Sequence, residues 1–183
     1  PLSCALADED SNMSSPLPAP SAEALAHSGR LQAHIRDQVR AAGGAIPFSR
    51  YMELALYAPG LGYYSAGARK FGAEGDFVTA PELGPVFAEC VASAAMDVFA
   101  QLGGRFDFIE LGGGSGAFAE AALRFLHARD ALPAHYRILE PSADLRERQM
   151  ERLREALPPA VFNRVGWLDG PPERGWRGFL FAN

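Results

Sequence analysis

The chain has 183 residues, of which 48% are hydrophobic and 21% charged, as is typical of a globular protein with a hydrophobic core. Its 17 basic residues stand against 22 acidic ones, which gives a net charge of −5. Because phosphate backbones and anionic membranes bind basic surfaces, we expect no nucleic-acid partner. No apolar run approaches the ~20 residues of a membrane-spanning helix, so we expect no membrane span.

Cysteine and histidine usage indicates neither a disulfide framework nor a metal site. Cys4 and Cys90 lie far apart, and Cys90 falls in an apolar helical pattern that predicts a buried free thiol. The four histidines have no metal-ligand spacing. Residues 8–10 are acidic and no basic-then-apolar signal follows, which favours a cytoplasmic location.

The first half of the chain is interpreted as a tail and a helical segment. Residues 1–27, rich in Ser, Pro and Ala, predict a disordered tail, and residues 28–104 predict an N-terminal helical segment with a Gly- and aromatic-rich loop. One helix has apolar residues at helical spacing from Leu31, a second has Pro47 in its first turn, and a third runs from about Pro85. The apolar face of the third helix is expected to hold Phe87, Val91, Ala94, Val98 and Leu102.

Strands and helices alternate over residues 105–183. Strands are predicted at Phe106–Leu111, at Tyr136–Glu140, within Val161–Leu168 and at Gly178–Asn183. Ser142 is predicted to cap the helix after the second strand. The inner face of that helix is expected to hold Leu145, Met150, Leu153 and Leu157. This alternation indicates an α/β fold with a parallel sheet.

The chain stops in an apolar strand, so we expect it to be the N-terminal part of a longer protein. Alone, it is expected to be inactive or marginally stable, because the last strand would be an exposed apolar edge.

A glycine-rich turn follows the first predicted strand. Glu110 ends that strand, and Gly112, Gly114 and Gly116 follow before a helical pattern begins. Glycine can adopt φ > 0 and lets the backbone approach a ligand closely. We therefore expect a small cofactor to lie over the carboxyl end of this strand.

Acidic residues end both of the first two predicted strands. Because neighbouring parallel strands lie ~5 Å apart, Glu140 is expected beside the turn, where its carboxylate can accept both hydroxyls of a ribose. The glycines also fit a dinucleotide pattern if Ala117 takes the third position. Glu110, however, would repel a pyrophosphate and suits the ammonium and sulfonium of S-adenosylmethionine (SAM). The residues favour SAM over NAD, and a tight turn without a ligand is the less favoured alternative.

A second segment, residues 75–82, has the sequence Gly-Asp-Phe-Val-Thr-Ala-Pro-Glu. By composition alone it is an ordinary loop leading into a helix, with Thr79 or Glu82 as a cap.

Four segments together resemble the MidA-type, or DUF185-type, family of SAM-dependent methyltransferases. They are residues 46–64 (IPFSRYM, LYAP and GYY), 75–82 (GDFVTAPE), 110–116 (ELGGGSG) and 136–149 (YRILEPS, LR and Q). Their order and spacing match over about residues 30–183, and the pattern Gly-Asp-Phe-x-Thr-x-Pro-Glu is unusual among methyltransferases. The family often has serine where Ala80 stands.

The resemblance implies a Rossmann-like methyltransferase core, here its first strands, preceded by an N-terminal helical segment. It implies SAM as the cofactor. The cofactor-binding candidates are Glu110, Gly112, Gly113, Gly114, Gly116, Glu140, Thr79 and Pro81. Mitochondrial members assist the assembly of respiratory complex I and are associated with symmetric dimethylation of an arginine in one of its subunits, so a protein substrate is implied. In the family an Asn-Glu-x-x-Asp segment follows the fourth strand, and Asn183 is its first residue here.

Three functions stay open at this point. The first is methyl transfer to a protein side chain, with catalytic residues unassigned; Asp76 and Glu82 are the loop acids available to orient a guanidinium. The second is a binding or assembly factor that keeps the fold without transfer activity. The third is an NAD-linked oxidoreductase, which Glu110 disfavours. Candidates to line an acceptor cleft, or to pack between helices and sheet, are Tyr57, Tyr63, Tyr64, Phe71 and Phe77.

Overall fold

A computed structural model describes residues 19–66, 79–172 and 175–183 of the chain. The predictions for the first 18 residues, for residues 75–78 with Asp76, and for Phe71 and Phe77 therefore lie outside the described residues. Within the three described ranges, no helix has both the length and the hydrophobicity needed to cross a membrane.

The first helix, α1 (Ala22–Ala41), begins earlier than the spacing of apolar residues indicates. Ser21 is its N-cap, and the Ser21 hydroxyl accepts a hydrogen bond from the backbone N–H of Ala24 at 3.1 Å. Residues 22–27 are thus helical, which corrects that end of the predicted tail. The local cap starts the helix well before the first large apolar residues that the prediction relied on.

Three more helices precede the sheet: α2 (Phe48–Tyr57), α3 (Ala80–Leu83) and α4 (Val86–Leu102). Pro47 is the N-cap of α2 and Pro85 that of α4, so both predicted starts are confirmed to within a residue.

Helix α4 buries a different face from the one predicted. Its buried residues are Ala88, Ala92, Ala95 and Phe99. Because alanine side chains are small, this face allows close packing against the neighbouring elements, and Phe87 and Val91 are left only partly buried. Ala94 and Cys90 are exposed, so the predictions of a buried Ala94 and a buried thiol are wrong.

The sheet has four parallel strands in the order β3-β2-β1-β4, which confirms the predicted parallel α/β fold. The strands are β1 (Asp107–Leu111), β2 (His135–Leu139), β3 (Val165–Leu168) and β4 (Gly178–Ala182). The helices among them are α5 (Ala117–His127), α6 (Ala143–Ala156) and α7 (Pro159–Phe162). The third strand begins later than the predicted segment because its first residues form α7, which Pro158 and Pro159 start.

One face of the sheet carries an aromatic core against α4, α5 and α6. The rings of Phe108 and Tyr136 stack at 4.8 Å between centroids, and those of Phe118 and Phe181 stack at 4.2 Å. Burial of each large apolar side chain contributes roughly 1.5–3 kcal/mol to folding. This packing fixes β1, the central strand of the site, between β2 and β4.

Helix α6 starts as predicted and buries one unexpected residue. The Ser142 hydroxyl accepts from the backbone N–H of Leu145 at 3.3 Å, which confirms the N-cap. Leu145 and Leu153 are buried, and Gln149, midway between them, is fully buried with them. Met150 is 37% exposed, so its predicted place on the inner face is wrong. A preference for apolar residues in the core misled the prediction, since Gln149 lies on the buried stripe.

Candidate cofactor site

The glycine turn, residues 112–116, joins β1 to α5 at the carboxyl end of the sheet. Gly112, Gly114 and Gly116 have φ angles of 75°, 52° and 81°, a region that strains other residues. The Gly112 N–H donates to the Leu139 carbonyl at 2.9 Å, which fastens the turn to the end of β2. The predicted strand-turn-helix is therefore confirmed, with positive φ at all three of these positions.

Gly113 is needed for a different reason. A Cβ at Gly113 would lie 2.8 Å from Cγ2 of Ile138 and 2.9 Å from Nε2 of Gln149. A Cβ at Gly112, in contrast, would meet no protein atom within 4 Å. Gly113 thus packs inward against β2 and α6, whereas Gly112 borders open space where a ligand can approach.

Glu110, in β1, is buried beside the turn and is only 2% exposed. Its Oε2 accepts a hydrogen bond from the Tyr136 hydroxyl at 2.7 Å. Burial raises the pKa of Glu110 from its ordinary 4.5 to about 8, the Tyr136 hydrogen bond opposes that rise, and the negative charge of Glu140 adds to it. At neutral pH most Glu110 carboxyl groups are therefore protonated, a state that the sequence did not indicate.

Glu140 follows β2 directly and, as predicted, lies beside the glycine turn. Its Oε1 accepts from the Ser142 N–H at 3.0 Å, and its Oε2 accepts from Nε2 of Gln149 at 3.3 Å. Burial raises the pKa of Glu140, while these hydrogen bonds, one from the Gly114 backbone and the charge of Arg146 oppose the rise. A carboxylate has about four acceptor positions, so three donors leave capacity for a ligand hydroxyl.

Thr79 and Pro81, at the end of the Gly-Asp-Phe segment, lie against the turn. They border the same cavity as Glu110 and the turn glycines 112–114. Glu82, in α3, accepts a hydrogen bond from the Ser115 hydroxyl, and this bond ties the segment to the turn. Arg152 of α6 donates to the same hydroxyl at 3.4 Å.

Two cavities share Gly112, Gly114 and Asn183 and form one cleft over the carboxyl end of the sheet. Glu140, Tyr57, Tyr64 and Leu145 also line the second cavity. Seven of the eight predicted cofactor residues line this cleft. Gly116 does not, because it lies one step further along as the N-cap of α5.

The sequence prediction missed the residues that hold the two acids. Tyr136, Ser142 and Gln149 are completely buried and hydrogen-bonded to Glu110 or Glu140. All three belong to the segment that carries the family resemblance, and Ser142 was predicted as a cap, but nothing in the sequence indicated that they bind Glu110 or Glu140. Tyr57 and Tyr64 line the cleft beside Glu140, whereas Tyr63 borders a separate groove beside α1. The acceptor role suggested for these tyrosines stays a prediction.

The cleft fits an adenosyl cofactor by its donor and acceptor chemistry. Glu140 supplies an acceptor for a ribose hydroxyl, the bare backbone at Gly112 leaves space, and Leu145 supplies apolar surface for a purine. In the described ranges, no group of three or more His, Cys, Asp or Glu residues is placed to hold a metal ion.

Comparison with known proteins gives matches to methyltransferases. The model of the family Methyltransf_28, described as putative S-adenosyl-L-methionine-dependent methyltransferases, matches residues 90–183, just over half of the chain. The chain is 35% identical over 119 residues to the protein arginine methyltransferase NDUFAF7 homolog, mitochondrial, of Drosophila melanogaster, covering 62% of this chain and 26% of that one. It is 30% identical over 131 residues to the Caenorhabditis elegans homolog, covering 69% and 30%.

A solved structure matches nearly the whole chain. It is a COG1565 superfamily member and likely methyl transferase from Burkholderia thailandensis bound to S-adenosyl-homocysteine (SAH), 44% identical, with a TM-score of 0.75. The match covers 91% of this chain and 43% of that one. The chain thus spans less than half of the solved relative and about a quarter to a third of the curated ones. With the glycine turn and the fold, these matches confirm the predicted cofactor class and show that the chain belongs to the MidA-type family of SAM-dependent methyltransferases.

Proposed function

We propose that the protein transfers the methyl group of SAM to a protein side chain, that the acceptor is an arginine, and that the modified protein is a subunit of a complex I-type respiratory enzyme. One observation supports methyl transfer above all: Glu110, the glycine turn and Glu140 line one cleft at the carboxyl end of a parallel sheet. The names of the fly and worm relatives support arginine. The proposed complex I role rests on the family resemblance.

The residues of this chain bind and orient the reactants, and none of them is assigned a proton transfer to or from the reacting groups. When bound, SAM supplies a methyl group on a sulfonium, which is already a good leaving group. Glu140 would accept a hydrogen bond from the ribose, and the turn at Gly112 would give the ligand access to the backbone. Holding donor and acceptor in line supplies the main rate enhancement through proximity.

Glu110 gives the cleft a charge that responds to its ligand. A cation beside a carboxyl group favours the ionised form and lowers its pKa. Since the pKa of Glu110 is about 8 in the described structure, a cationic ligand next to it would release a proton at neutral pH. Glu110 therefore suits the positive end of SAM once its proton has left.

The acceptor side of the cleft is proposed to lie near Tyr57 and Tyr64, whose rings stack at 5.6 Å between centroids. Aromatic faces attract a guanidinium. Glu82 is engaged with the Ser115 hydroxyl. We therefore assign no catalytic residue among the described side chains, and Asp76 lies outside them.

The test has two stages, on the full-length protein. Calorimetric titration with SAM and, separately, NADH is repeated with Glu140→Gln and with the exposed control Glu147→Gln. SAM binding that is weakened only by Glu140→Gln supports the proposal, and NADH binding or no binding contradicts it. The second stage supplies isotope-labelled SAM and purified complex I subunits and locates the label by mass spectrometry.

The second stage separates enzyme from assembly factor. Label on arginine is the expected outcome. Binding of SAM without transfer to any subunit would leave a binding or assembly factor that keeps the cofactor. A cytoplasmic location is also proposed, and cell fractionation tests it.

A further inference from the structure

Gln149 is a fully buried polar side chain between the two halves of the cleft. Its Nε2 donates to the Gly114 carbonyl at 2.9 Å and to Oε2 of Glu140 at 3.3 Å. One amide therefore holds both the glycine turn and the carboxylate that faces the ribose. Gln149 belongs to α6, whereas Gly114 lies in the glycine turn and Glu140 directly follows β2. Its amide therefore connects the turn to the end of β2.

Trp167 of β3 fixes which way this amide points. The indole Nε1–H donates to Oε1 of Gln149 at 2.8 Å. An indole N–H can only donate, so it requires the oxygen of the amide on its side. The NH₂ group must then face Glu140 and Gly114, and both of its hydrogens are used. A reversed amide would place its oxygen against a carboxylate and a carbonyl, which is unfavourable in a buried site.

The backbone of the turn is fitted around this side chain. A Cβ at Gly113 would lie 2.9 Å from Nε2 and 3.1 Å from Cδ of Gln149. A Cβ at Gly116 would lie 3.5 Å from Cα and Cγ of Gln149. The turn therefore packs directly on Gln149, and substitution of this residue would alter the packing of the turn as well as the hydrogen bond to Glu140.

We propose that Gln149, oriented by Trp167, is a positioning residue that directs the Glu140 carboxylate toward the ribose and so sets the preference of the cleft for a nucleoside with ribose hydroxyls. The inference rests on the proposed function, because it takes SAM as the ligand and Glu140 as the ribose contact. It goes further by assigning the ribose selectivity to two residues that act through Glu140.

The experiment measures how each variant distinguishes SAH from its 2′-deoxy analogue, by calorimetric titration of the full-length protein. The variants are Gln149→Met, which keeps the length and removes the amide, and Trp167→Phe, which removes the indole N–H. The matched controls are Gln101→Met and Trp176→Phe, at exposed positions in α4 and in the loop before β4.

The expected result is a loss of selectivity along with affinity. Gln149→Met should weaken SAH binding by about tenfold or more, as for loss of a hydrogen bond to a charged partner. Trp167→Phe should weaken it by about threefold to tenfold, as for loss of a hydrogen bond to a neutral partner. In both variants the ratio of SAH to 2′-deoxy affinity should fall toward one. The controls should keep the wild-type ratio.

A merely structural role would weaken both ligands equally and leave the ratio unchanged, and that result would overturn the proposal. If Gln149→Met does not fold, as judged by circular dichroism, Trp167→Phe decides alone. Wild-type protein that binds no SAH would overturn the proposed function as well. Wild-type binding that depends on Glu140, with an unchanged ratio in Trp167→Phe, would overturn only the present inference.

Discussion

Glu110 and Glu140 belong to neighbouring strand ends of one sheet, yet their surroundings give them different chemistry. Glu110 accepts from a single tyrosine hydroxyl, and burial brings its pKa to about 8. Glu140 accepts from the Ser142 backbone and the Gln149 amide and lies near Arg146, all of which oppose the effect of burial on its pKa. Burial raises the pKa of both carboxyl groups, and more donors oppose that rise at Glu140 than at Glu110.

This difference divides the cleft into two parts. On the Glu140 side, a carboxylate with several donors is suited to accept hydroxyls. On the Glu110 side, a group that is mostly neutral at pH 7 becomes charged beside a cation. Four substitutions test this division, and their expected effects decrease from the first to the last.

The largest effect concerns pH and Glu110. Unfolded Glu110 loses its proton near pH 4.5 and the folded residue keeps it to about pH 8, so the folded state binds more protons between these values. The free energy of unfolding should therefore be highest below about pH 4.5 as far as Glu110 is concerned, and fall as the pH rises to about 8. Glu110→Gln should remove this contribution. Urea unfolding at about pH 5, 6.5 and 8 measures it.

Glu140 also has a raised pKa and contributes in the same direction in both proteins, so the difference between their slopes measures Glu110 together with its coupling to Glu140. Glu147→Gln, at an exposed position of α6, is the control and should keep the wild-type slope. Identical slopes in wild type and Glu110→Gln would mean that Glu110 is ionised in the folded protein at neutral pH.

The second effect concerns ligand affinity. Glu140→Gln replaces a charged acceptor by a neutral amide, and we expect SAM to bind about 100-fold more weakly, about 2.7 kcal/mol, as for loss of hydrogen bonds to a charged group. Isothermal titration calorimetry measures the change. An affinity equal to that of wild type would place the ribose away from Glu140.

The third effect concerns the packing between the two parts. Gly113→Ala would place a methyl group against Ile138 and Gln149, and overpacking of this kind costs about 2 kcal/mol of stability. Gly166→Ala is the matched control, since a Cβ there meets no atom within 4 Å. Thermal unfolding of both variants gives the result. Equal melting temperatures would show that Gln149 can move aside without cost.

The smallest effect concerns Ser142, which supports the Glu140 side. Its hydroxyl caps α6 and donates to the Tyr64 carbonyl at 2.7 Å. Ser142→Ala should cost about 1 kcal/mol of stability, while the Ser142 backbone N–H still donates to Glu140. Urea unfolding should show the loss, with exposed Ser93→Ala as the control. A large loss of SAM affinity in Ser142→Ala would instead link this cap to the orientation of Glu140.

Much of the fold could be predicted because its signals are local. Proline and glycine mark the ends of α2 and α4, and the alternation of apolar runs indicates the parallel sheet. The errors have two sources: a local signal that lies outside the apolar pattern, and tertiary contacts that override the preference for apolar residues in the core. The start of α1 depends on a serine cap outside the apolar pattern, and the buried face of α6 includes Gln149 in place of Met150.

The candidate site, like the fold, could be predicted only in part. The glycines of the turn and the two acids could be predicted, because turn geometry needs glycine and because parallel strands bring their carboxyl ends together. Tyr136 and Trp167 could not, since each acts across a strand boundary through a side chain that meets its partner only after folding. The charge of Glu110 could not be predicted either, because it follows from burial.

Helix α1 is the longest of the described helices, yet none of its 20 residues is buried. Its polar links to the following segment include His27 with the Leu61 carbonyl at 2.8 Å and Arg50 with Gln38 at 3.4 Å. A helix held by so little buried surface opens locally far more often than the sheet unfolds. Its amide hydrogens should therefore exchange with solvent deuterium well before those of β1. We expect α1 to dissociate from the rest of the protein and to pack against it again while the cleft stays folded.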